Sequence, residues 1–327
     1  MSSSRELTIQ DALNEALRME MRRDERVFCM GEDIAIYGGA YGVTKGLVQE
    51  FGEERVRDTA ISEAAIIGAG IGAAMTGMRP VVELMYVDFA GIAMDQIYNQ
   101  AAKIRYMFGG KAKVPLVIRT QGGTGKQIAA QHSNSLEAWF LHTPGLKTVM
   151  PSTPYDAKGL LISAIRDDNP VMFIEHKAVY NEKGPCPEGD YTVPIGKAAI
   201  RRPGKDATIV SYSRMALRSM AAADMLAGEG ISCEVIDLRT ISPWDTHAVV
   251  ESVARTHRAV IVEEGTRTGG VGAEISARIM ELAFDELDAP VERVAGVDTV
   301  IPASATLEAA AIPNVESIVA AVRRTLL

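Results

Sequence analysis

Two runs of alternating apolar strands and helices, with a proline- and glycine-rich break between them, constrain this 327-residue chain more than any other feature. The first run opens with a helical pattern from Leu7 to Asp24 and the strand-like Val27-Phe-Cys-Met-Gly-Glu-Asp. Strand candidates then follow at Val81 to Phe89, Pro115 to Thr120, Leu146 to Pro151 and Val171 to His176. Between them lie helix candidates Ala93 to Phe108, Ser133 to Leu141 and Tyr155 to Arg166. Strands that are apolar throughout and spaced by helices call for a parallel sheet covered on both faces. The rhythm stops around Asn181 to Arg202, where Gly184, Pro185, Pro187, Gly189, Pro194 and Gly196 crowd together, and that composition reads as an inter-domain linker. It restarts with strand Ala207 to Tyr212, helix Met215 to Ala227, strand Ser232 to Asp237, helix Trp244 to Thr256 and strand Arg258 to Glu263, and a helix from Val315 to Leu327 closes the chain. The expectation is an α/β protein of two domains, residues 1–190 and 205–327, joined by a linker at 191–204; the length suffices for two cores.

Bulk numbers narrow the function class. The formal charge of −8 is spread without long like-sign blocks and aromatic residues are few, which argues against a nucleic-acid surface. Cys29, Cys186 and Cys233 are odd in number, lie far apart and form no CxxC, so neither a disulfide framework nor a zinc site is expected. They suit buried thiols in a reducing cytoplasm. No signal-peptide pattern follows Met1, and no apolar run reads as long and uninterrupted enough for a bilayer.

The chemistry begins at Thr59-Ala-Ile-Ser-Glu-Ala-Ala-Ile-Ile-Gly-Ala-Gly-Ile-Gly, which places Glu63 at the head of an apolar, glycine-dotted helix with Ser62 as its N-cap. The next turns carry no charge, so the helix reads as buried on all sides. A carboxyl group in so dry a place either pairs with a cation or holds a proton near neutrality, which suits proton exchange with a ring nitrogen. The plainer reading is a first-turn acid favoured by the helix dipole.

Gly68-Ala-Gly-Ile-Gly-Ala fits the letters of a dinucleotide fingerprint, with Glu83 and Asp88 following. That fingerprint needs a glycine turn between strand and helix, and these glycines lie two turns inside a helix. Gly122-Gly-Thr-Gly-Lys-Gln resembles a Walker loop, but Thr120 stands where its first glycine should be and Gln127 replaces the metal-binding hydroxyl. It reads as a flexible loop after a strand. His132 lies on the same connection, just before a helix expected to start at Ser133, and so should face a crevice at the carboxyl edge of the sheet; a loop histidine bonded to backbone is the alternative.

Taken in order, Gly31-Glu-Asp, Asp58-Thr-Ala-Ile-Ser-Glu, Asp95-Gln-Ile-Tyr-Asn-Gln-Ala-Ala-Lys, Gln131-His-Ser-Asn-Ser-Leu-Glu-Ala-Trp-Phe, Asp237-Leu-Arg-Thr-Ile-Ser-Pro-Trp-Asp and Gly269-Gly-Val-Gly-Ala-Glu-Ile span nearly the whole chain. Together they resemble the beta subunit of the thiamine-diphosphate-dependent decarboxylating component of 2-oxo acid dehydrogenase complexes, a family that includes pyruvate, branched-chain and acetoin dehydrogenases. The resemblance implies an N-terminal thiamine pyrimidine-binding domain and a C-terminal transketolase-C-like α/β domain. It implies that Glu63 hydrogen-bonds the aminopyrimidine, that Ile61, Met85 and Phe89 pack around that ring, and that His132 lines the channel to the thiazolium. By the same resemblance Leu116, Ala164, Ile165, Asp167 and Asn169 match a structural potassium site built mostly from backbone carbonyls.

Thiamine enzymes hold the diphosphate through magnesium on a Gly-Asp-Gly segment, which this chain lacks. A pyrophosphate needs a metal and helix N-termini, so another chain must supply them. The family's alpha subunit does so in an alpha2beta2 heterotetramer, and the acyl group leaves on a lipoyl arm of a dihydrolipoyl transacylase core. His132 would then donate a proton to the lipoyl sulfur or the carbonyl oxygen. The phrases Glu83-Leu-Met-Tyr-Val-Asp-Phe-Ala-Gly and Arg105-Tyr-Met-Phe-Gly-Gly-Lys look like acetoin dehydrogenase, which keeps that substrate open beside the 2-oxo acids. A nicotinamide-dependent oxidoreductase and a non-catalytic interaction subunit are the rivals from other classes.

Overall fold

The computed structural model describes residues 5–327. Its contacts separate into two units, residues 1–122 with 139–195, and residues 123–138 with 196–327. In the first unit the strands Lys147–Val149, Val171–His176, Val117–Gly122, Arg79–Leu84, Val27–Gly31 and Val56–Asp58 lie side by side in that order, all parallel. Every residue of Val117–Gly122 and Val171–His176 is buried, as the unbroken apolar runs required. In the second unit, Glu292–Gly296, Ala259–Thr266, Ala207–Ser211 and Cys233–Asp237 are parallel neighbours. The helices Ser213–Ala227 and Val315–Thr325 cover them, and Ile209, Val235, Val260, Leu226, Ile318 and Val322 are fully buried in the core between.

Several elements depart from the sequence expectation. Residues 199–202, read as linker, form an edge strand antiparallel to Cys233–Asp237; Ile200 stays exposed while Arg201 reaches the buried Asp237 carboxylate, an ion pair that composition alone does not reveal. Lys183–Cys186 also pairs, with Arg5–Thr8. The helix expected over 93–108 breaks into a π-helical stretch, Asp95–Ala101, and a short helix, Ile104–Met107. The C-terminal stretch, apolar by composition, is two helices, Ala305–Ala311 and Val315–Thr325, parted at Pro313, and each is shorter than the ~20 residues a bilayer needs.

The glycine-dotted helix runs Glu63–Met75. It is not buried on all sides: Ile66, Ile67, Gly70, Ile71 and Ala74 face inward, while Ala65, Ala69, Gly72 and Met75 form an exposed stripe. Nor does the Ser62 side chain cap it. Gly70 is fixed by packing, because a Cβ there would stand 2.8 Å from Val82 Cγ1 and 3.0 Å from Leu116 Cδ1. The helix expected from Ser133 begins instead at Glu137, because residues up to Asn134 are engaged in a closed loop.

Candidate active site

In a parallel sheet every strand ends at the same edge, and ligands of α/β proteins bind outside those carboxyl ends. Three neighbouring strands of the first unit deliver Glu32 and the four residues expected around the pyrimidine there. Glu32 follows Val27–Gly31, Ile61 and Glu63 follow Val56–Asp58, and Met85 and Phe89 follow Arg79–Leu84. The Met85–Tyr86 peptide is cis. Met85 and Phe89 are half-buried, and Ile61 is 80% exposed.

Glu63 itself is 6% exposed, yet among the described residues no hydrogen bond or ion pair reaches its carboxylate. The residue is buried while its carboxylate oxygens keep contact with solvent at the strand-end edge, so the group is placed to take a donor from outside this chain. Glu32, which sequence reasoning left inside a motif without a role, is its companion. One of its carboxylate oxygens is buried and unpartnered, and burial, followed by the nearby Glu63, Asp33 and Glu83 charges, pushes its pKa up. The only signal in the sequence was its place directly after a strand.

Deeper in the same sheet the carboxylates are paired. Arg119 binds Glu175 through Nε at 2.6 Å and Nη2 at 2.7 Å, and Glu83 through Nη1 at 2.7 Å. Gln121 donates to the other oxygen of Glu83 at 2.9 Å, and the Tyr180 hydroxyl to Glu175 at 2.5 Å. Burial alone would lower the Arg119 pKa, but the two carboxylates outweigh it and hold the guanidinium firmly charged. Glu83, an acid at the distance a dinucleotide fingerprint would use, is therefore a core residue.

His132 is half-buried on the segment 123–138, which belongs with the second unit. Its backbone N–H donates to Ala129 O at 3.3 Å. Glu137, at the first turn of the following helix, is buried and accepts the Tyr212 hydroxyl at 2.9 Å. Burial pushes its pKa up to about 7, against the opposing hydrogen bonds of its own N–H and of Tyr212.

The five residues matched to potassium lie together at the opposite edge of the first sheet, before Val117 and Val171. Their oxygens already have donors. Leu116 O accepts Val171 N–H at 2.9 Å, Ala164 O accepts Asp167 N–H at 3.3 Å, and Asn169 Oδ1 accepts Arg105 Nη1 at 2.8 Å. Arg79 Nη1 donates to the carbonyls of Ile165 and Asp167 at 2.9 and 3.1 Å. Each carbonyl keeps a second lone pair, so the set fits a monovalent cation only alongside the Arg79 guanidinium.

Comparison with known proteins gives the family. Residues 5–183 match the transketolase pyrimidine binding domain and residues 196–318 the transketolase C-terminal domain. The chain is 50% identical, over 99% of its length and 98% of the relative's, to the beta subunit of acetoin:2,6-dichlorophenolindophenol oxidoreductase of Cupriavidus necator. It is 51% identical, over 97% of its length and 69% of the relative's, to the pyruvate dehydrogenase E1 component subunit beta of Rhizobium meliloti. Among solved structures, a split-gene transketolase described as an inactive beta4 tetramer superposes with a TM-score of 0.79 at 22% identity, covering 98% of each chain, which shows the fold. A buried, unpartnered glutamate at the edge of a pyrimidine-domain sheet and relatives of this similarity lead to one assignment: the chain belongs to the family of thiamine-diphosphate-dependent 2-oxo acid and acetoin dehydrogenase beta subunits.

Proposed function

We propose that this chain holds the pyrimidine half of thiamine diphosphate in a dehydrogenase acting on pyruvate or a related 2-oxo acid, with transfer of the acyl group to a lipoyl arm on a transacylase core. The observation that carries the reading is the Glu63 carboxylate, buried at a helix start without a protein partner. A ring nitrogen would satisfy it, and proton exchange with that nitrogen is the work a positioned carboxylate does. When bound, the cofactor supplies the carbanion chemistry. Glu63 holds and exchanges the proton at the pyrimidine. Ile61, Met85 and Phe89 offer the ring apolar surface, and the exposure of Ile61 leaves it available for that contact. His132 donates a proton at the lipoyl sulfur or the carbonyl oxygen.

The chain supplies only part of the cofactor's surroundings. It has no Gly-Asp-Gly, and among the described residues no cluster of three or more His, Cys, Asp or Glu side chains is arranged to hold a metal ion. Magnesium and the diphosphate therefore fall to an alpha partner in an alpha2beta2 assembly, for which the exposed Ala65, Ala69 and Gly72 stripe offers close helix packing. Potassium at Leu116, Ala164, Ile165, Asp167 and Asn169 would brace the far edge of the sheet beside Arg79 and takes no part in the reaction. Three buried free thiols suit work in the cytoplasm. Acetoin is the second substrate reading, favoured by the full-length match to the Cupriavidus necator subunit. The nicotinamide reading has no support in the site, because Gly68, Gly70 and Gly72 lie within the helix Glu63–Met75 rather than in a turn.

Reconstitution tests the proposal. The isolated chain should bind thiamine diphosphate weakly and turn over neither substrate, and activity should appear on adding the alpha partner. Rates with pyruvate and with acetoin then assign the substrate. Robust pyruvate decarboxylation by the homogeneous beta chain alone would contradict the shared site.

A further inference from the structure

At the amino-terminal edge of the first sheet, around Asp167-Asp168-Asn169, basic side chains outnumber acids. Asp167 pairs with Lys147, and Asp168 with Arg79 at 2.6 Å and Lys113 at 2.7 Å. Arg105 is left over. Its Nη1 donates to the neutral amide oxygen of Asn169 at 2.8 Å, and among the described residues no carboxylate pairs with it. The side chain is half-buried, yet none of its nitrogens is sealed from solvent without a partner. A guanidinium with four further N–H groups that faces only a neutral amide is short of an anion.

Arg105 lines a cavity of about 500 Å³ that no carboxylate reaches. Besides Arg105 and Asn169, its walls are Ala102, Tyr106, Pro170 and the backbone of three glycines. The short helix Ile104–Met107 presents Arg105 and Tyr106, and the chain turns back directly after it. There the Gly109 N–H donates to Tyr106 O at 3.0 Å and the Gly110 N–H to Arg105 O at 2.8 Å. A Cβ on either glycine would meet nothing within 4 Å, so the turn leaves space open instead of filling it. Gly145 does the opposite. A Cβ there would stand 2.0 Å from Ala102 O, so only glycine lets the loop before Lys147–Val149 close against Ala102 and wall the cavity.

We propose that this cavity binds a small organic monocarboxylate with an aromatic or branched apolar body, its carboxylate on Arg105 and its body against Tyr106 and Pro170. A cavity of this size takes a whole small organic molecule. One guanidinium with open N–H groups is the counterpart of a single carboxylate, which it holds through two parallel hydrogen bonds. An inorganic anion would leave the Tyr106 and Pro170 walls unused, and a neutral molecule would leave the guanidinium unmet. The cavity lies at the sheet edge opposite Glu63, so the inference does not depend on the thiamine reading.

The probe is phenylacetate, titrated by calorimetry into the full chain carrying 15N-labelled glycine. Phenylacetamide serves as the neutral isostere, and inorganic phosphate as an anion without an apolar body. Phenylacetate should saturate one site and shift the amide signals of Gly109 and Gly110, and the other two should bind weaker by about tenfold or more. R105M should weaken phenylacetate by about tenfold or more and Y106A by a smaller factor. R105K keeps the charge but not the planar fork, so it should fall between wild type and R105M, and it serves where R105M fails to fold. The titration is repeated on the complex with the alpha partner, where affinity should be retained. Absence of saturable phenylacetate binding, equal binding of phenylacetamide or phosphate, or an affinity untouched in both Arg105 variants overturns the proposal. Loss of the site on assembly also overturns it, and would show that a partner chain covers the cavity.

Discussion

At the centre of the N-terminal sheet, Glu83 and Glu175 are buried on either side of Arg119, which donates to both, and Gln121 and Tyr180 bind oxygens of the same two carboxylates. At the carboxyl edge of that sheet, Glu63 is buried to a similar degree and has no such partner, and Glu32 beside it keeps an unpartnered oxygen. The same residue type, in one sheet, is satisfied in the interior and left open at the edge. Paired acids hold strands in register; an unpaired one at a strand end is kept for a ligand. Variants at the two places should therefore fail in opposite ways, one in stability and the other in chemistry.

The largest effect on stability is expected inside. R119M leaves Glu83 and Glu175 buried without a countercharge, and removal of one member of such a set costs on the order of 3–5 kcal/mol. Chemical denaturation of the purified chain measures it. A loss below about 1 kcal/mol would mean that the network is held by its neutral hydrogen bonds and that the contrast with Glu63 is weaker than drawn.

A smaller and pH-dependent effect is expected at Glu137, where burial raises the pKa from 4.5 to about 7, Tyr212 is the hydrogen-bond donor, and the Glu263 and Glu264 charges add to the rise. The folded state then binds a proton that the unfolded chain releases between those values. Stability from this group is fully present below pH 4.5 and falls as pH rises to about 7, by roughly 3 kcal/mol, and is level above that. E137Q should flatten this part of the stability profile. An unchanged slope between pH 5 and pH 7 would show that another group carries it.

How much of this was legible in the sequence depends on distance along the chain. Val171–His176 stands where its apolar run put it, and Pro154–Arg166 begins one residue before the expected start because Thr153 caps it. Glu63 was legible because a single carboxylate heading an apolar helix is conspicuous. The start of the helix after His132 was misread: Ser133 looks like an N-cap, but its hydroxyl is buried and the backbone beside it closes a loop, so the helix waits until Glu137. The partners of Arg119 lie 36 and 56 residues away, and those of Thr124 and Gly125 lie 140 and 183 residues away. No local pattern encodes such pairings; only the folded sheets bring them together. Glu32 sits in the same class, since its meaning comes from Glu63, at the head of the helix that follows a neighbouring strand.

The smallest stability change and the most direct test both belong to Glu63. E63Q keeps side-chain size and hydrogen-bonding capacity, and no protein partner is lost, so fold and assembly should survive with a change of about 1 kcal/mol or less. An amide cannot exchange the proton that the pyrimidine nitrogen requires. In the complex with its alpha partner, hydrogen–deuterium exchange at the thiazolium carbon of bound thiamine diphosphate, followed by NMR, should slow by orders of magnitude relative to the wild-type chain. Wild-type exchange in a correctly assembled, cofactor-loaded E63Q complex would show that Glu63 is only a first-turn helix acid, and the account would fall with it.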